Sequence, residues 1–476
     1  MNKTRPIDRK ASVIGSGPNG LAAAIVLAQA GLHIDVFEAE ATPGGAVRSM
    51  ELTLPAFMHD FGSAVYPLGA GSPFFSSLPL GSHGLEWVHS PAPLAHPLDD
   101  GSAVILERDL RGNEASLGGD ERIWSNLLQP FVQHWKEFAQ EVLRPQPSIP
   151  KHPLLMVRFG MTAFLPARTI ARRFRNERTR ALFAGLAAHS FLSLDEPMSG
   201  AFAMLMAISA HAVGWPIARG GSQSLTNALC SYLARLGGTV KTSSRIDALE
   251  QLSRYDLALC DVTPQQLIKI GATRFSPKYT RRLASFQYGP GIFKVDYALS
   301  APIPWKAREC LRAATVHVGG SFDEIAASES VVRKGQHSNR PLVLVVQPTL
   351  FDPSRAPAGK HIAWAYCHVP NGSKVNVLDR VEAQIERFAP GFRDCVLARS
   401  VMRPADLESR DGNLVGGDIS GGIIDIRHFL FRPTRQHYAT SARDVYICSA
   451  STPPGGGVHG MCGYHAANMA IKNLTS

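Results

Sequence analysis

The residues best placed to do chemistry here carry almost no side chain. Gly15-Ser16-Gly17-Pro18-Asn19-Gly20 is a G-x-G-x-x-G run. Between a strand and a helix each glycine has a mechanical role, with the tight turn at Gly15, close backbone approach to a pyrophosphate at Gly17, and close helix-to-strand packing at Gly20. The helix that follows offers unpaired N–H groups and the positive end of its dipole to the phosphates. Glu38 stands about 20 residues on, where a carboxylate accepts hydrogen bonds from a ribose hydroxyl and repels a 2′-phosphate, so NADP is disfavoured.

The elements that must position these residues are legible around them. Ala11 to Ile14 is a short apolar strand signal, LAAAIVLAQAG after Gly20 is a helix pattern closed by Gly31, and HIDVFEAE is a second strand ending in Glu38. Strand, helix, strand and terminal acid in this order separate a dinucleotide site from an ordinary glycine-rich turn. Other chemistries lack their residues. The histidines, His59, His211, His317, His361, His368, His459 and His465 among them, show no metal-ligand spacing, and no G-x-S-x-G elbow supplies a hydrolase nucleophile. Seven dispersed cysteines without a C-x-x-C pair predict reduced thiols, with neither a disulfide framework nor a thiolate zinc site.

The chain has 476 residues, 45% hydrophobic and 18% charged, with 42 glycines and 33 prolines. That composition excludes a disordered scaffold and predicts two or three folded domains with many tight turns. Lys and Arg number 49 against 39 Asp and Glu, a charge of +10 too diffuse to diagnose nucleic acid, for which no reading module is present. The basic opening MNKTRPIDRK leads into an apolar stretch broken by Gly15, Gly17, Pro18 and Gly20, so no signal peptide is read and a cytoplasmic protein is expected. The longest apolar run, Ala201 to Ile217, contains His211 and Gly214 and predicts a buried or membrane-grazing helix.

Further segments extend the pattern: ATPGGAVRS after Glu38, HDFGSAVYP from His59, ARGGSQSLTNALCSYLARLGG from Ala218, RIDAL from Arg245, ALCDVTP from Ala258, and VYICSASTPPGGGVHGMCGYHAANMAI from Val445. Together they resemble the flavin amine oxidase and phytoene desaturase superfamily. Within it the likeness is to phytoene desaturase-like FAD-dependent oxidoreductases, including the pyridine nucleotide-disulfide oxidoreductase domain 2 type, and STPPGGGVHGMCGY is its most specific piece. No redox cysteine pair follows Gly44-Gly45, which argues against dithiol chemistry.

The resemblance implies an α/β fold: a Rossmann-like FAD-binding domain of the glutathione reductase type, discontinuous over 1–70, 215–275 and 435–476, with an inserted α+β substrate domain over 71–214 and 276–434. FAD would lie extended, its pyrophosphate on Gly15, Gly17 and Gly20, its ribose on Glu38, and its adenine near Ile246. Gly44 and Gly45 would pass the phosphates, Gly62, Ser63 and Ala64 the flavin ring, and Thr263 would follow the strand closing the domain. Arg48 would supply the charge that the family commonly places directly after the glycine pair, where this chain has Ala46. Ser449 stands where a glycine is usual; with Ala450 and a helix beginning near Gly457 and Val458 it would face the flavin's pyrimidine side. Free N–H groups there would stabilise negative charge on the reduced ring.

In the insertions, Trp124, Leu127, Leu128, Phe131, Trp135, Phe138 and Val142 recur at helical spacing, with a kink expected at Pro130. IFKVDYAL from Ile292, PLVLVVQP from Pro341 and IAWAYCHV from Ile362 predict a sheet that floors a substrate pocket. The segment around Lys294 resembles the amine oxidase strand whose lysine holds a water near the flavin; an ordinary solvent-facing strand lysine is the competing reading. His59, Tyr66, Trp215 and Asp296 are candidate pocket residues. Arg168 to Arg180 holds six arginines facing only Glu177, readable as a solvated face or as a basic amphipathic helix on an anionic membrane. The function implied is hydride removal from a polyene, isoprenoid or lipid-like substrate, with oxygen or a quinone as acceptor and no metal. The alternatives are a flavin amine oxidase and a non-enzymatic lipid carrier of the GDP-dissociation inhibitor type.

Overall fold

The computed structural model describes residues 9–475, with the side chains of residues 113–115 set aside. The basic opening up to residue 8 thus lies outside the described residues. Strand β1 (Lys10–Ile14), helix α1 (Pro18–Gln29) and strand β2 (His33–Phe37) form as the pattern requires. They belong to a five-stranded parallel sheet in the order Val445–Ile447, Leu257–Cys260, β1, β2, Thr239–Lys241. Three strands come from distant parts of the chain, so the Rossmann-like unit is discontinuous in sequence.

One face of this sheet buries α1 together with Gln223–Arg235 and Met461–Thr475. α1 and the terminal helix cross so closely that a Cβ on Gly463 would lie 1.8 Å from the Asn19 carbonyl oxygen. The packing moves two boundaries. Phe74, Phe75, Leu78, Leu80 and Leu85 pack into this core, past the boundary expected at residue 70. On the other face Tyr279 and Leu283 pack with Phe275, past the boundary expected at residue 275. In both cases apolar side chains beyond the glycine motifs finish covering the parallel sheet, which must be buried on both faces.

The second sheet has seven strands, ordered Val396–Met402, Gly291–Leu299, His361–Val369, Val343–Val346, Ala313–Val318, Ala92–Pro97, Ala103–Leu106. Neighbours are antiparallel except Ala313–Val318 with Ala92–Pro97. The three strands read from sequence are its centre. One face packs on Leu378–Phe388 through Val381, Ile385 and Phe388. The other joins the helical layer of residues 121–212, where Trp124, Leu128, Phe131 and Phe138 are core. The aromatic stripe divides into Glu121–Gln133, containing Pro130, and Trp135–Val142, with the break at His134.

The run Arg168 to Arg180 is not one amphipathic helix. It takes in all but the first residue of the short helix Ala167–Ala171, a bend, and the start of Glu177–Ala188. Arg168 pairs with Asp195 and Asp323, Arg178 donates to Ser102 and the Ala103 carbonyl, and Arg180 pairs with Glu177. Internal partners take up much of the charge that a membrane would use. Ser199–Ala212 is a largely buried helix, and among the described residues no helix is long and apolar enough to cross a membrane.

Candidate functional site

β1 delivers the chain to the carboxyl end of the parallel sheet, where ligands bind in open α/β folds. Gly15 adopts φ +91°, which a side chain would strain, and its N–H donates to the Phe37 carbonyl at 2.8 Å. Gly17 caps α1 without a side-chain bond of its own and Pro18, which has no N–H, opens the helix, so the first-turn N–H groups without an intrahelical acceptor are those of Asn19 and Gly20. One of them is taken from within: Gly20 N–H donates to Asp261 Oδ2 at 2.8 Å. A Cβ on Gly17 would sit 2.7 Å from that same oxygen. Burial pushes the Asp261 carboxyl up to about 8, with Asp411 and Glu38 adding to the effect and the Gly20 N–H opposing it. At neutral pH it is predominantly the uncharged acid.

Glu38 ties the motifs together. Its Oε2 accepts from the N–H and hydroxyl of Ser16, its Oε1 accepts from Glu40 N–H at 2.9 Å, and Ser16 Oγ accepts from Gly44 N–H at 3.1 Å. A carboxylate has about four acceptor positions. Three are used, leaving room for a ribose hydroxyl. Arg48 is buried over the Phe61 ring and donates to the carbonyls of Gly45 (2.7 Å) and Arg410 (2.8 Å). One donor nitrogen thereby holds the glycine turn and a second ties it to the end of the helix Pro404–Arg410.

A cavity of about 660 Å³ runs from this loop to the seven-stranded sheet. Gly15, Gly17, Glu38, Gly45, Arg48, Gly62, Ser63, Ala64, Ile246, Thr263, Ser449, Ala450, Gly457 and Val458 all line it. Gly20 and Gly44 stand behind the wall; a Cβ on either would meet backbone, at 2.1 Å and 2.6 Å. One expectation needs correction: the terminal helix begins at Met461, after Gly457 (φ +121°) and Gly460 (φ +69°) have turned the chain. Any N–H groups offered from Gly457 and Val458 are therefore those of a loop before the helix.

The far end of the cavity is apolar. Strand register sets its floor in rows, Thr315, Val346 and Trp364 in one and Leu344 and Tyr366 in the next, and the two rows continue beyond the cavity to Asp296 and Lys294 respectively. Phe191, Phe202, Met206 and Trp215 face this floor from the helical layer. Lys294 is fully buried, which excludes a solvent-facing lysine, but it does not itself line the cavity. Its Nζ donates to Asp296 Oδ2 and lies 5.8 Å from the Trp364 ring centre. Burial pushes the Lys294 amine down and the Asp296 carboxyl up to about 6, with each partner's charge opposing the shift. His59 Nδ1 stands 3.7 Å from Asp296 Oδ1, and burial plus the Lys294 charge push His59 down to about 3, leaving it neutral. Arg355 pairs with Asp60 at 3.0 Å beside them. Of the candidate pocket residues, Tyr66 and Trp215 line the cavity, whereas His59 and Asp296 belong to this buried charge cluster.

Sequence reasoning misses three contributors. Asp261 lies inside ALCDVTP, where the resemblance singles out Thr263 instead. The helix end at Arg410 and the turn through Asp411 and Asn413 line the cleft, and Asn413 donates to the Asp261 carbonyl and accepts from Thr263 N–H. His189 and His317, joined Nε2 to Nε2 at 3.0 Å, stand beside Trp215 at the apolar end. Burial pushes both imidazoles down, so the pair is neutral.

The residues present fit FAD. Glycines clear the backbone at the loop, the acid at its centre is uncharged at neutral pH, and the cavity continues past Gly62–Ala64 to an apolar chamber. Among the described residues no group of three or more His, Cys, Asp or Glu side chains could hold a metal ion, and all seven cysteines are free.

A family model described as an NAD(P)-binding Rossmann-like domain matches residues 13–76. The mouse pyridine nucleotide-disulfide oxidoreductase domain-containing protein 2 is 24% identical, with 98% of this chain and 93% of that protein covered. A phytoene dehydrogenase of Streptomyces griseus is also 24% identical, over 95% of this chain and 92% of its own. A solved oxidoreductase from Methanosarcina mazei shares the fold with a TM-score of 0.67 at 16% identity, covering 97% of this chain and all of its own. The resemblance read from the motifs thus extends along nearly the whole chain.

Proposed function

We propose that the protein is an FAD-dependent oxidoreductase that removes hydride from a carbon of an apolar, isoprenoid or lipid-like substrate, with oxygen or a quinone as electron acceptor. The observation that carries this reading is the single cavity joining a dinucleotide cradle to an apolar chamber. Bound there, FAD would supply the hydride acceptor. The protein's part is to hold and orient. Glu38 and the loop Gly15–Gly20 would fix the adenosine half, and the loop through Gly457 and Val458 would offer N–H groups to the ring. Phe202, Met206, Trp215 and the sheet floor would exclude water from the reacting carbon. Lys294, its proton held against Asp296, is our candidate for the side chain acting on reoxidation.

The relative named phytoene dehydrogenase supports an apolar carbon substrate. An amine oxidase reading is less well supported, because the wall of the chamber is aromatic and aliphatic and the carboxylate of Asp296 is already committed to Lys294. A lipid carrier without redox chemistry would not need the intact loop, Glu38 and the C-terminal glycine run. The test is a visible absorbance spectrum, followed by anaerobic bleaching across a panel of isoprenoids, fatty substrates and amines. Bleaching by an apolar substrate is expected. A protein that stays colourless after reconstitution with FAD refutes the reading, and bleaching by amines alone replaces it.

A further inference from the structure

Large apolar side chains are exposed on this protein in one place above all. Among the described residues nine are strongly exposed, and seven of them fall in two short segments, 149–164 and 426–431. Ile149 is 90% exposed, Leu154 86% and Met161 67%, with Val157 and Phe164 close behind. Leu154, Val157 and Met161 are spaced i, i+3, i+7, one stripe along the helix Pro153–Ala163. The opposite side of that helix is anchored, with Phe159 against the rings of Phe131 and Phe138. Packing therefore holds the helix so that its apolar stripe faces outward. The second segment, with Ile426 and Phe431 exposed on the helix Ile426–Phe431, joins the first through the edge-on contact of Phe164 and Phe429. Contiguous apolar surface of this kind marks a binding face.

We propose that this face lies in the interfacial layer of an anionic lipid bilayer and brings the mouth of the cavity to the membrane. Charge identifies the occupant. Residues 149–164 and 426–435 contain no Asp or Glu but hold Lys151, Arg158, Arg427, Arg432 and Arg435. Lys151, Arg158, Arg427 and Arg435 are exposed, and the Arg435 guanidinium sits over the exposed Phe431 ring, 5.1 Å from its centre. Apolar side chains rimmed by cations match acyl chains beneath anionic headgroups. Position agrees with charge. Ile419 and Ile424, on the stretch leading into the second segment, line the cavity. So do Phe202 and Met206, from the helix Ser199–Ala212 that lies behind the first. This contact gives the lipid-like substrate of the proposed function a route that avoids water, and that part of the inference rests on the function proposed above.

The test is co-sedimentation of the full-length, FAD-treated protein with vesicles of phosphatidylcholine, alone or mixed with phosphatidylglycerol. Binding is expected to be stronger to the mixed vesicles. The double variant Leu154→Asp/Met161→Asp, altered only at exposed positions, should lower the partition constant by about a hundredfold. Leu397→Asp, exposed elsewhere, should leave it unchanged. Arg158→Gln/Arg427→Gln should reduce the preference for phosphatidylglycerol by roughly tenfold or more while retaining binding driven by the apolar stripe. The inference is overturned if the wild type sediments with neither vesicle or if Leu154→Asp/Met161→Asp sediments like wild type. It is equally overturned if light scattering shows a wild-type dimer that the same variant dissociates, since the face would then belong to a second copy. The flavin spectrum of the same samples keeps the two proposals apart. Vesicle binding by a colourless protein leaves the membrane face standing and removes the flavin reading, and the reverse result does the opposite.

Discussion

Replacing Asp261 with asparagine removes one ionisable group from the centre of the cleft while keeping an oxygen for the Gly20 N–H. The native carboxyl is pushed from its ordinary value of 3.8 up to about 8. An acid whose pKa rises on folding binds more protons folded than unfolded, so its effect on stability is absent below about pH 4. The cost then grows as pH rises toward 8 and is constant above. By this linkage the cost is about 2 kcal/mol at pH 5 and about 5 kcal/mol at pH 8. Asp261→Asn should therefore stabilise the protein at both pH values, by about 3 to 4 kcal/mol more at pH 8.

Urea unfolding of both proteins at the two pH values measures this difference directly. The same substitution bears on the cofactor. An ionised Asp261 beside a pyrophosphate would repel it, so wild type should release FAD progressively as pH passes 8, and Asp261→Asn should retain it. Ultrafiltration followed by absorbance reads the released fraction. Equal stabilisation at pH 5 and pH 8 would refute the reasoning, because it would show that Asp261 does not change its proton affinity on folding. Equal FAD release by the two proteins at high pH would separate Asp261 from the phosphates.

Other perturbations test neighbouring parts of the site. Glu38→Gln should weaken FAD binding by about 1.5 to 3 kcal/mol, since it replaces a charged acceptor that also bonds Ser16 N–H; unchanged retention in a titration would make Glu38 a loop brace only. Gly17→Val should abolish flavin occupancy, because its first carbon would lie 2.7 Å from Asp261 Oδ2 and its branches would enter the space for the phosphates; full occupancy in the absorbance spectrum breaks the cradle assignment. Lys294→Met should keep FAD, whose adenosine and pyrophosphate contacts lie elsewhere, yet slow reoxidation by oxygen in stopped flow, and a wild-type rate would remove Lys294 from the chemistry. The same variant should lose about 3 to 5 kcal/mol of stability by leaving Asp296 buried without its partner, and Lys294→Met/Asp296→Leu should recover most of it in thermal unfolding.

The parts of this site that are legible in the sequence are those built from local rules. A strand, a glycine turn and a helix are read within a few residues, so β1, α1, β2 and Glu38 follow from the sequence alone. The centre of the second sheet follows from alternation and β-branched residues. What escapes depends on contacts across long stretches of chain. Asp261 is set against Gly20 only because the strand Leu257–Cys260 pairs with β1, a contact over more than two hundred residues. Lys294 reads either as the lysine of an amine oxidase-like strand or as a solvent-facing one, and although Asp296 lies only two residues along the same strand, it takes the pairing of that strand with His361–Val369, and the layers packed on the sheet, to show that both are buried. The basic run from Arg168 reads as a solvated face or a membrane surface because charge is visible in a sequence while its partners are not; Asp195 and Asp323 come to Arg168 from other elements. The stripe of Leu154, Val157 and Met161 has the spacing of an ordinary core-facing helix, and periodicity alone assigns such residues to the interior. Only the packing of Phe159 on the other side of that helix turns them outward, so the surface with the strongest claim to a partner is one that pattern reading would have buried.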